Sequence, residues 1–370
     1  MHFLIISHAT HHKDNNELFS YAPYVREMNL WLKYVDTVEI VAPFQNIKHS
    51  KIDLAYEHDK IKFSRIPAID FVTLSHSITS LLVFPYIIFK LFLACFRADH
   101  IHLRCPGNIG LLGCLVQVFF PKKTKTAKYA GNWDPNASQP KSYRFQKWIL
   151  SNTFLTRKMN VLVYGNWKNQ TKNIKSFFTA SYLDKEKVIF KAKDYSGELS
   201  FVFVGSLVEG KRPLFAIQLI EALHEKGIRC KLNMFGDGIL KEELQDYINK
   251  NNTTNVILHG NQTKETIKDY LLKSHFSILA SKSEGWPKAL AEAMFFGVIP
   301  IATKISCVPY MLEHGKRGVL IEAELTSALN TVEMALRNEK ELVNTAKKAQ
   351  LWSQQFTLNA FEKEIKTLLH

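Results

Sequence analysis

Two glutamates eight positions apart, Glu284 and Glu292, bracket the start of a short helix pattern in SEGWPKALAEAM, residues 283–294. Pro287 stands where a first-turn proline is tolerated. Ala289, Leu290, Ala291, Ala293 and Met294 are strong helix formers, and Gly297 is a natural stop. The pattern puts Glu292 on the helix and Glu284 in the loop that feeds its N-terminus. Unpaired amides at a helix N-terminus favour an anion such as a phosphate. Two acceptors flanking an anion site suit a ligand that carries both phosphate and hydroxyls. Taken alone, the pair reads more simply as a solvated glutamate and an ordinary helical partner of Lys288.

The elements around this segment alternate. In the first half, strand patterns at 2–6, 37–42, 61–66, 100–103, 124–129 and 160–164 are separated by helix patterns near 17–34, 77–96, 109–119 and 142–156. In the second half, strands at 200–204, 230–235, 256–259, 276–280, 298–302 and 318–321 alternate with helices near 213–226, 239–250, 263–273, 288–296, 326–337 and 339–350. Such alternation predicts parallel sheets covered on both faces. The charged, weakly periodic stretch 183–199 reads as a linker. The expected fold class is α/β: two Rossmann-like, doubly wound domains over 1–185 and 186–350, then a C-terminal helix in 351–370 that can pack back on the first domain. Sheets of this kind bind ligands at the carboxyl ends of their strands.

The chain has 370 residues, 46% hydrophobic, which suits two globular cores. Its net charge of +14 fits nucleic acid, an anionic membrane surface or phosphorylated substrates. The basic residues read as spread out, without interleaved aromatics, which disfavours nucleic acid as a partner. Five cysteines with no CxxC and no zinc spacing suggest a reducing compartment. The N-terminal apolar run lacks a basic region and a cleavage site, and reads as a first buried strand. The apolar stretch 77–96 is broken by Pro85 and Lys90 and followed by Arg97 and Asp99. It reads as a helix covering a sheet, with membrane insertion and a surface-lying helix as alternatives.

Four pieces in order resemble a known family: FVFVGSLVEGK at 201–211, MFGDG at 234–238, VILHGNQTKE at 256–265 and SEGWPKALAEAMFFGVIPIAT at 283–303. Together they are similar to the retaining, GT-B-fold glycosyltransferases of family 4, the last piece to that family's Glu-x7-Glu element. The likeness is strong over about 200–322 and looser before it. It implies a GT-B architecture, two Rossmann-like domains facing a cleft, the first on the acceptor side. It also implies transfer of a sugar from a nucleotide-sugar donor to a glycan or lipid-linked glycan, in cell-surface polysaccharide synthesis. No cofactor or metal is expected, because the amides of Gly285, Trp286, Pro287's neighbours and Lys288, with the charge of Lys211, would hold the diphosphate. By the same resemblance Glu292 would accept from the ribose hydroxyls, and Glu284 would bind the donor sugar and stabilise the anomeric centre. Gly205, Gly236 and Gly260 would lie close to the donor, though they most simply provide turns.

The chain departs from that pattern in three places. Ser206 stands where an arginine usually follows the glycine, and Arg212 is the candidate replacement. Ala130 or Gly131 takes the position of a histidine that often faces the donor sugar. Asn132 and Asp134 follow it and are candidates to orient sugar or acceptor, or else simply build a Gly-Asn, Asp-Pro turn. The loop 7–16 holds His8, His11 and His12 where glycines are usual. His8, His11 and Arg104 are the acceptor candidates; a metal reading of the histidines lacks helical spacing and an acidic partner. Other readings are an epimerase of the same fold and a silent nucleotide-sugar-binding subunit. The expected location is the cytoplasm, peripheral on the inner face of the membrane, with Lys122, Lys123, Lys125 and Lys128 as the contact patch.

Overall fold

The computed structural model describes residues 1–15, 17–50, 52–69 and 74–369, and for 74–81 the backbone only. The chain divides into two compact units, Met1–Phe178 with Phe361–His370, and Thr179–Ala360. The division falls a few residues before the boundary expected at 185/186. The whole stretch 183–199 read as a linker therefore belongs to the second unit.

The first unit is built on a parallel sheet of β1 (His2–Ile6), β4 (Thr37–Pro43), β6 (Ile61–Ile66), β7 (His100–Cys105), β8 (Thr124–Tyr129), β9 (Met159–Tyr164) and β10 (Ile174–Phe177). Their spatial order is β10-β9-β8-β7-β1-β4-β6. Three short strands, β2 (His12–Asp14), β3 (Glu17–Tyr21) and β5 (Asp53–Ala55), form a separate antiparallel sheet. This corrects two expectations. Residues 7–16 are not one open loop, and the helix predicted at 17–34 begins only at Ala22. Asn16 of that loop lies outside the described residues. The helix Leu74–Arg97 covers the stretch predicted at 77–96. Among the described residues no helix is long and apolar enough to cross a membrane.

The second unit holds β11 (Leu199–Val204), β12 (Cys230–Phe235), β13 (Val256–Leu258), β14 (Phe276–Leu279), β15 (Ile299–Thr303) and β16 (Val319–Ile321). All pair in parallel, in the order β13-β12-β11-β14-β15-β16. Their apolar runs are continuous because both faces are covered. Local chemistry sets the helix ends. Pro213 opens Pro213–Glu225, and the Thr263 hydroxyl accepts from the amide of Thr266 at the start of Lys264–Lys273. Gly297, at φ +69°, ends Lys288–Phe295 in the left-handed conformation that a side chain resists.

In both sheets the connections run outward in opposite directions from two adjacent central strands. The switch lies between β1 and β7 in the first unit and between β11 and β14 in the second. A crevice at the carboxyl ends of such a pair is where this architecture takes ligands.

The last helix, Leu358–Leu369, buries Phe361, Ile365 and Leu369, one per helical turn. Phe361 packs on Phe177 and Phe178 with ring centroids 5.3 and 5.8 Å away. Glu362 accepts from Tyr34 and Lys33. Burying one phenylalanine contributes roughly 1.5–3 kcal/mol, so this end of the chain is tied to the first unit by packing rather than by its surface charges.

Candidate active site

The clearest constellation sits at the switch point of the second unit. Lys211 follows β11 in a short turn, and Glu284 follows β14. The Lys211 ammonium lies 2.5 Å from Glu284 Oε1, and the Ser281 hydroxyl donates to the same oxygen at 2.6 Å. The glutamate side chain is largely buried and the lysine about one-third exposed. The loops are joined through their backbones as well, since the Lys282 amide donates to the Gly210 carbonyl at 2.8 Å. Arg212 caps Pro213–Glu225 at a left-handed φ of +50° and points Nη1 at the Ala280 carbonyl, 3.5 Å away. Ser206 is exposed at the end of the same turn.

Glycines draw the strand ends together. The Gly205 amide donates to Phe235 and the Gly236 amide to Gly260, both at 2.9 Å. A Cβ on Gly236, at φ +134°, would lie 1.9 Å from the Gly205 carbonyl oxygen. Only glycine therefore allows β11 and β12 to end so close together.

Glu292 lies on the helix Lys288–Phe295, and Ser181 donates its hydroxyl to Oε1. Pro287 is the residue just before that helix rather than inside its first turn, and its carbonyl accepts from Leu290 and Ala291. Pro287, the N-cap residue, offers no side-chain cap bond. Gly285 is anchored through its carbonyl by Cys307 Sγ at 3.1 Å and Ser306 Oγ at 3.5 Å. Trp286, a donor candidate, turns its ring inward onto Trp352 and Phe356, at 6.1 and 5.7 Å. Its ring packing holds the loop in place. Ser281, Ser181, Ser306 and Cys307 were not foreseen. Serine close to a glutamate in sequence is a weak signal, and Ser181 reaches Glu292 only through the fold.

Two candidates of the first unit, Arg104 and His11, are tied up by partners inside it. Arg104 ends β7, beside the switch point, and its Nη1 lies 3.1 Å from Glu27 Oε1, with Tyr24 stacked below at 5.2 Å. Lys128 approaches the same carboxylate at 3.5 Å. Burial opposes ionisation of Glu27, yet the charges of Lys128 and Arg104 hold its carboxyl below the usual range. His11 is fully buried; its Nδ1 faces the Ala9 carbonyl and its Nε2 the Tyr56 hydroxyl, each at 2.8 Å. Burial holds it down at about 4, so it is a neutral packing residue and not an open acceptor contact. His8 is exposed at the end of β1, against the Gly107 backbone. His12 stacks on Phe19 and lies 3.3 Å from Asp53. Among the described residues no group of three or more His, Cys, Asp or Glu is clustered for a metal.

Asn132 and Asp134 form a tight turn. Asn132 Oδ1 accepts from the Asp134 amide and Asp134 Oδ1 from the Asn136 amide, both at 2.9 Å. Lys147 clamps the carbonyls of Trp133 and Asp134 at 2.9 and 3.0 Å. A Cβ on Gly131 would fall 2.9 Å from Pro106 Cγ, so this position has no room for a histidine. The expected basic patch is also corrected. Lys125 and Lys128 are fully buried, with Lys125 on the Phe120 carbonyl at 3.1 Å and Lys128 on Phe178 at 2.9 Å. Lys123 is turned onto the carbonyls of Phe96 and Ala98.

Residues 184–352 match the sequence model of the family described as glycosyl transferases group 1. This segment is a group 1 glycosyltransferase domain. The group 1 domain contains every residue of the switch-point constellation. An uncharacterized glycosyltransferase of Methanocaldococcus jannaschii is 28% identical over 181 residues, 48% of this chain and 49% of that protein. A Campylobacter jejuni α-1,4-N-acetyl-D-galactosaminyltransferase, named for an undecaprenol diphosphate-linked acceptor, is 28% identical over 183 residues, 45% of this chain and 50% of its own. The chain thus matches about half the length of these relatives. Among solved structures, Anabaena HepE in complex with UDP and glucose superposes with a TM-score of 0.65 at 15% identity, covering 100% of this chain and 99% of that one. The fold is GT-B.

Proposed function

We propose that this protein is a retaining glycosyltransferase of polysaccharide synthesis. It moves a hexose-type sugar from a nucleotide diphosphate to a glycan or lipid-linked glycan, without a metal. The observation that carries this reading is the Lys211–Glu284 pair across the β11/β14 switch point, with Glu292 on the following helix. The names of the relatives, transferases that build glycans, favour transfer over epimerisation or silent binding. Neighbours solved with UDP or UDP-glucose support a nucleotide donor.

Each residue then has a task. Glu292 accepts from the ribose hydroxyls. The backbone amides that lead into Lys288–Phe295 and the Lys211 ammonium meet the diphosphate. As Lys211 turns to the diphosphate it releases Glu284, whose carboxylate accepts from the sugar hydroxyls and stabilises positive charge at the anomeric carbon. The bond from that carbon to the diphosphate oxygen breaks, and the acceptor oxygen bonds to the same face. The acceptor proton passes to the departing phosphate, so no protein nucleophile is needed. Ser281 positions Glu284, and Ser181 positions Glu292.

The test is a panel of nucleotide sugars, scored by thermal shift and by release of nucleotide diphosphate in the presence and absence of EDTA. Turnover that survives EDTA is expected. Turnover abolished by EDTA and restored by magnesium or manganese would overturn the metal-free reading, and the absence of a shift with every nucleotide would overturn the donor site.

A further inference from the structure

The basic charge of this chain is concentrated rather than spread out as its composition suggests. Between Leu74 and Leu183 there are fifteen Lys and Arg but only two acids, Asp99 and Asp134. Both acids are engaged by backbone amides, of His2 at 2.7 Å and of Asn136 at 2.9 Å. This segment supplies the helices Leu74–Arg97, Asn108–Val116 and Lys141–Ser151. All three bury residues in one core cluster, among them Leu91, Leu112 and Ile149, and so lie on one face of the first sheet.

The outer side of these helices is apolar where a water-facing helix is normally polar. Leu82 is 77% exposed, Phe89 60%, Phe96 69% and, just after the second helix, Phe119 72%. Trp148 on the third helix and Phe154 beyond it are exposed as well, at 57% and 70%. Exposed side chains of this size in one stretch mark an interaction surface. Cations sit among them. Lys90 lies over Tyr86 at 5.4 Å and Arg157 over Phe154 at 4.6 Å, while Lys122, Lys141, Arg144 and Lys158 are exposed.

We propose that this three-helix face of the first unit docks on an anionic lipid bilayer. Aromatic rings with basic neighbours and no free carboxylate suit the boundary between acyl chains and anionic headgroups, where rings enter and lysines stay at the phosphates. Charge complementarity selects the bilayer as occupant, since an ordinary protein partner meets both signs of charge. The helix Leu74–Arg97 lies along the surface and does not span it. The contact set differs from the lysine patch at 122–128, whose buried members Lys125 and Lys128 play no part.

The experiment is co-sedimentation with phosphatidylcholine vesicles, with and without phosphatidylglycerol, across a sodium chloride series. The unaltered protein should partition onto the phosphatidylglycerol vesicles at low salt and much less onto neutral ones. Phe89→Ser/Phe96→Ser/Phe119→Ser should weaken that binding by about tenfold or more. Lys141→Gln/Arg144→Gln/Lys158→Gln should remove the preference for anionic lipid. The melting temperature of the apolar variant, and its nucleotide binding, should stay unchanged, because its side chains lie on the surface and no residue of 281–292 is altered. Undiminished vesicle binding by the apolar variant, or no binding by the unaltered protein, would overturn the proposal. So would sedimentation showing that the same three substitutions split a dimer, since a second copy would then be the occupant.

Discussion

The two units share one strand order and treat charge in opposite ways. At the β1/β7 switch the first unit closes its charges on one another: Arg104 and Lys128 share Glu27 in the interior. Three aromatic rings, of Tyr164, Phe177 and Phe361, also surround the Lys128 ammonium at 4.4–5.2 Å. At the β11/β14 switch the group 1 domain leaves its pair, Lys211 and Glu284, at a partly open loop junction. A buried pair that is already satisfied holds a fold together, whereas an open pair can trade partners when a charged ligand arrives. The same topology thus serves as a structural clip in one unit and as a candidate reaction site in the other.

Removing one partner from each pair breaks this comparison most sharply. Glu27→Gln leaves two buried cations with one neutral neighbour and should destabilise the protein by about 3–5 kcal/mol, read by chemical denaturation. Lys211→Met should change stability little, because its ammonium is partly exposed, while weakening nucleotide diphosphate binding. Equal stability losses in the two variants would erase the distinction.

Next in size is Glu292→Ala. Losing a charge-assisted bond to the ribose should weaken nucleotide diphosphate binding by roughly 1.5–3 kcal/mol, measured by calorimetry on the folded variant. A smaller contrast lies in acid. His11 and His100 are held down at about 4 by burial, and burial holds His102 well below its ordinary value, all in the first unit. Such histidines stay neutral when folded and take up protons near 6.5 when unfolded. Stability therefore falls as pH drops below about 6.5, by roughly 2 kcal/mol at pH 5 for each of His11 and His100. His259 and His275 of the second unit shift the same way but are less buried. Hydrogen exchange at pH 7 and pH 5 should show the first unit loosening first; uniform loosening would contradict that assignment. Smallest of all, Lys231→Gln should change stability by less than about 1 kcal/mol, since its partner Glu198 is half exposed.

How far the sequence could be read follows the same divide. The long apolar runs of both parallel sheets, such as SFVFV and HFLII, announce buried strands because both faces are covered. The small sheet escaped because HKD is polar and too short to show a period, and because ELFSY runs on into a helical pattern. β10 escaped as a four-residue edge strand. In the group 1 domain the candidates lie within short loops of their own strands, so spacing locates them. Lys125 and Lys128 look like surface charge in sequence, because the carbonyls and rings that bury them come from Gln117, Phe120, Phe178 and Phe361. Gly131 reads as an absent histidine until Pro106 is seen to occupy the space beside it.

The role of Glu284 is tested most directly by one paired measurement on Glu284→Gln. Nucleotide diphosphate binding is measured by calorimetry and sugar transfer by nucleotide release, against the unaltered protein and Glu292→Ala. The account predicts binding within about threefold of the unaltered protein, with turnover lowered by on the order of 10²-fold, the loss of an electrostatic contact made in the transition state. Glu292→Ala should show the reverse balance, with binding lost first. Glu284→Gln turning over at the unaltered rate, or losing free nucleotide binding as fully as Glu292→Ala, would contradict it.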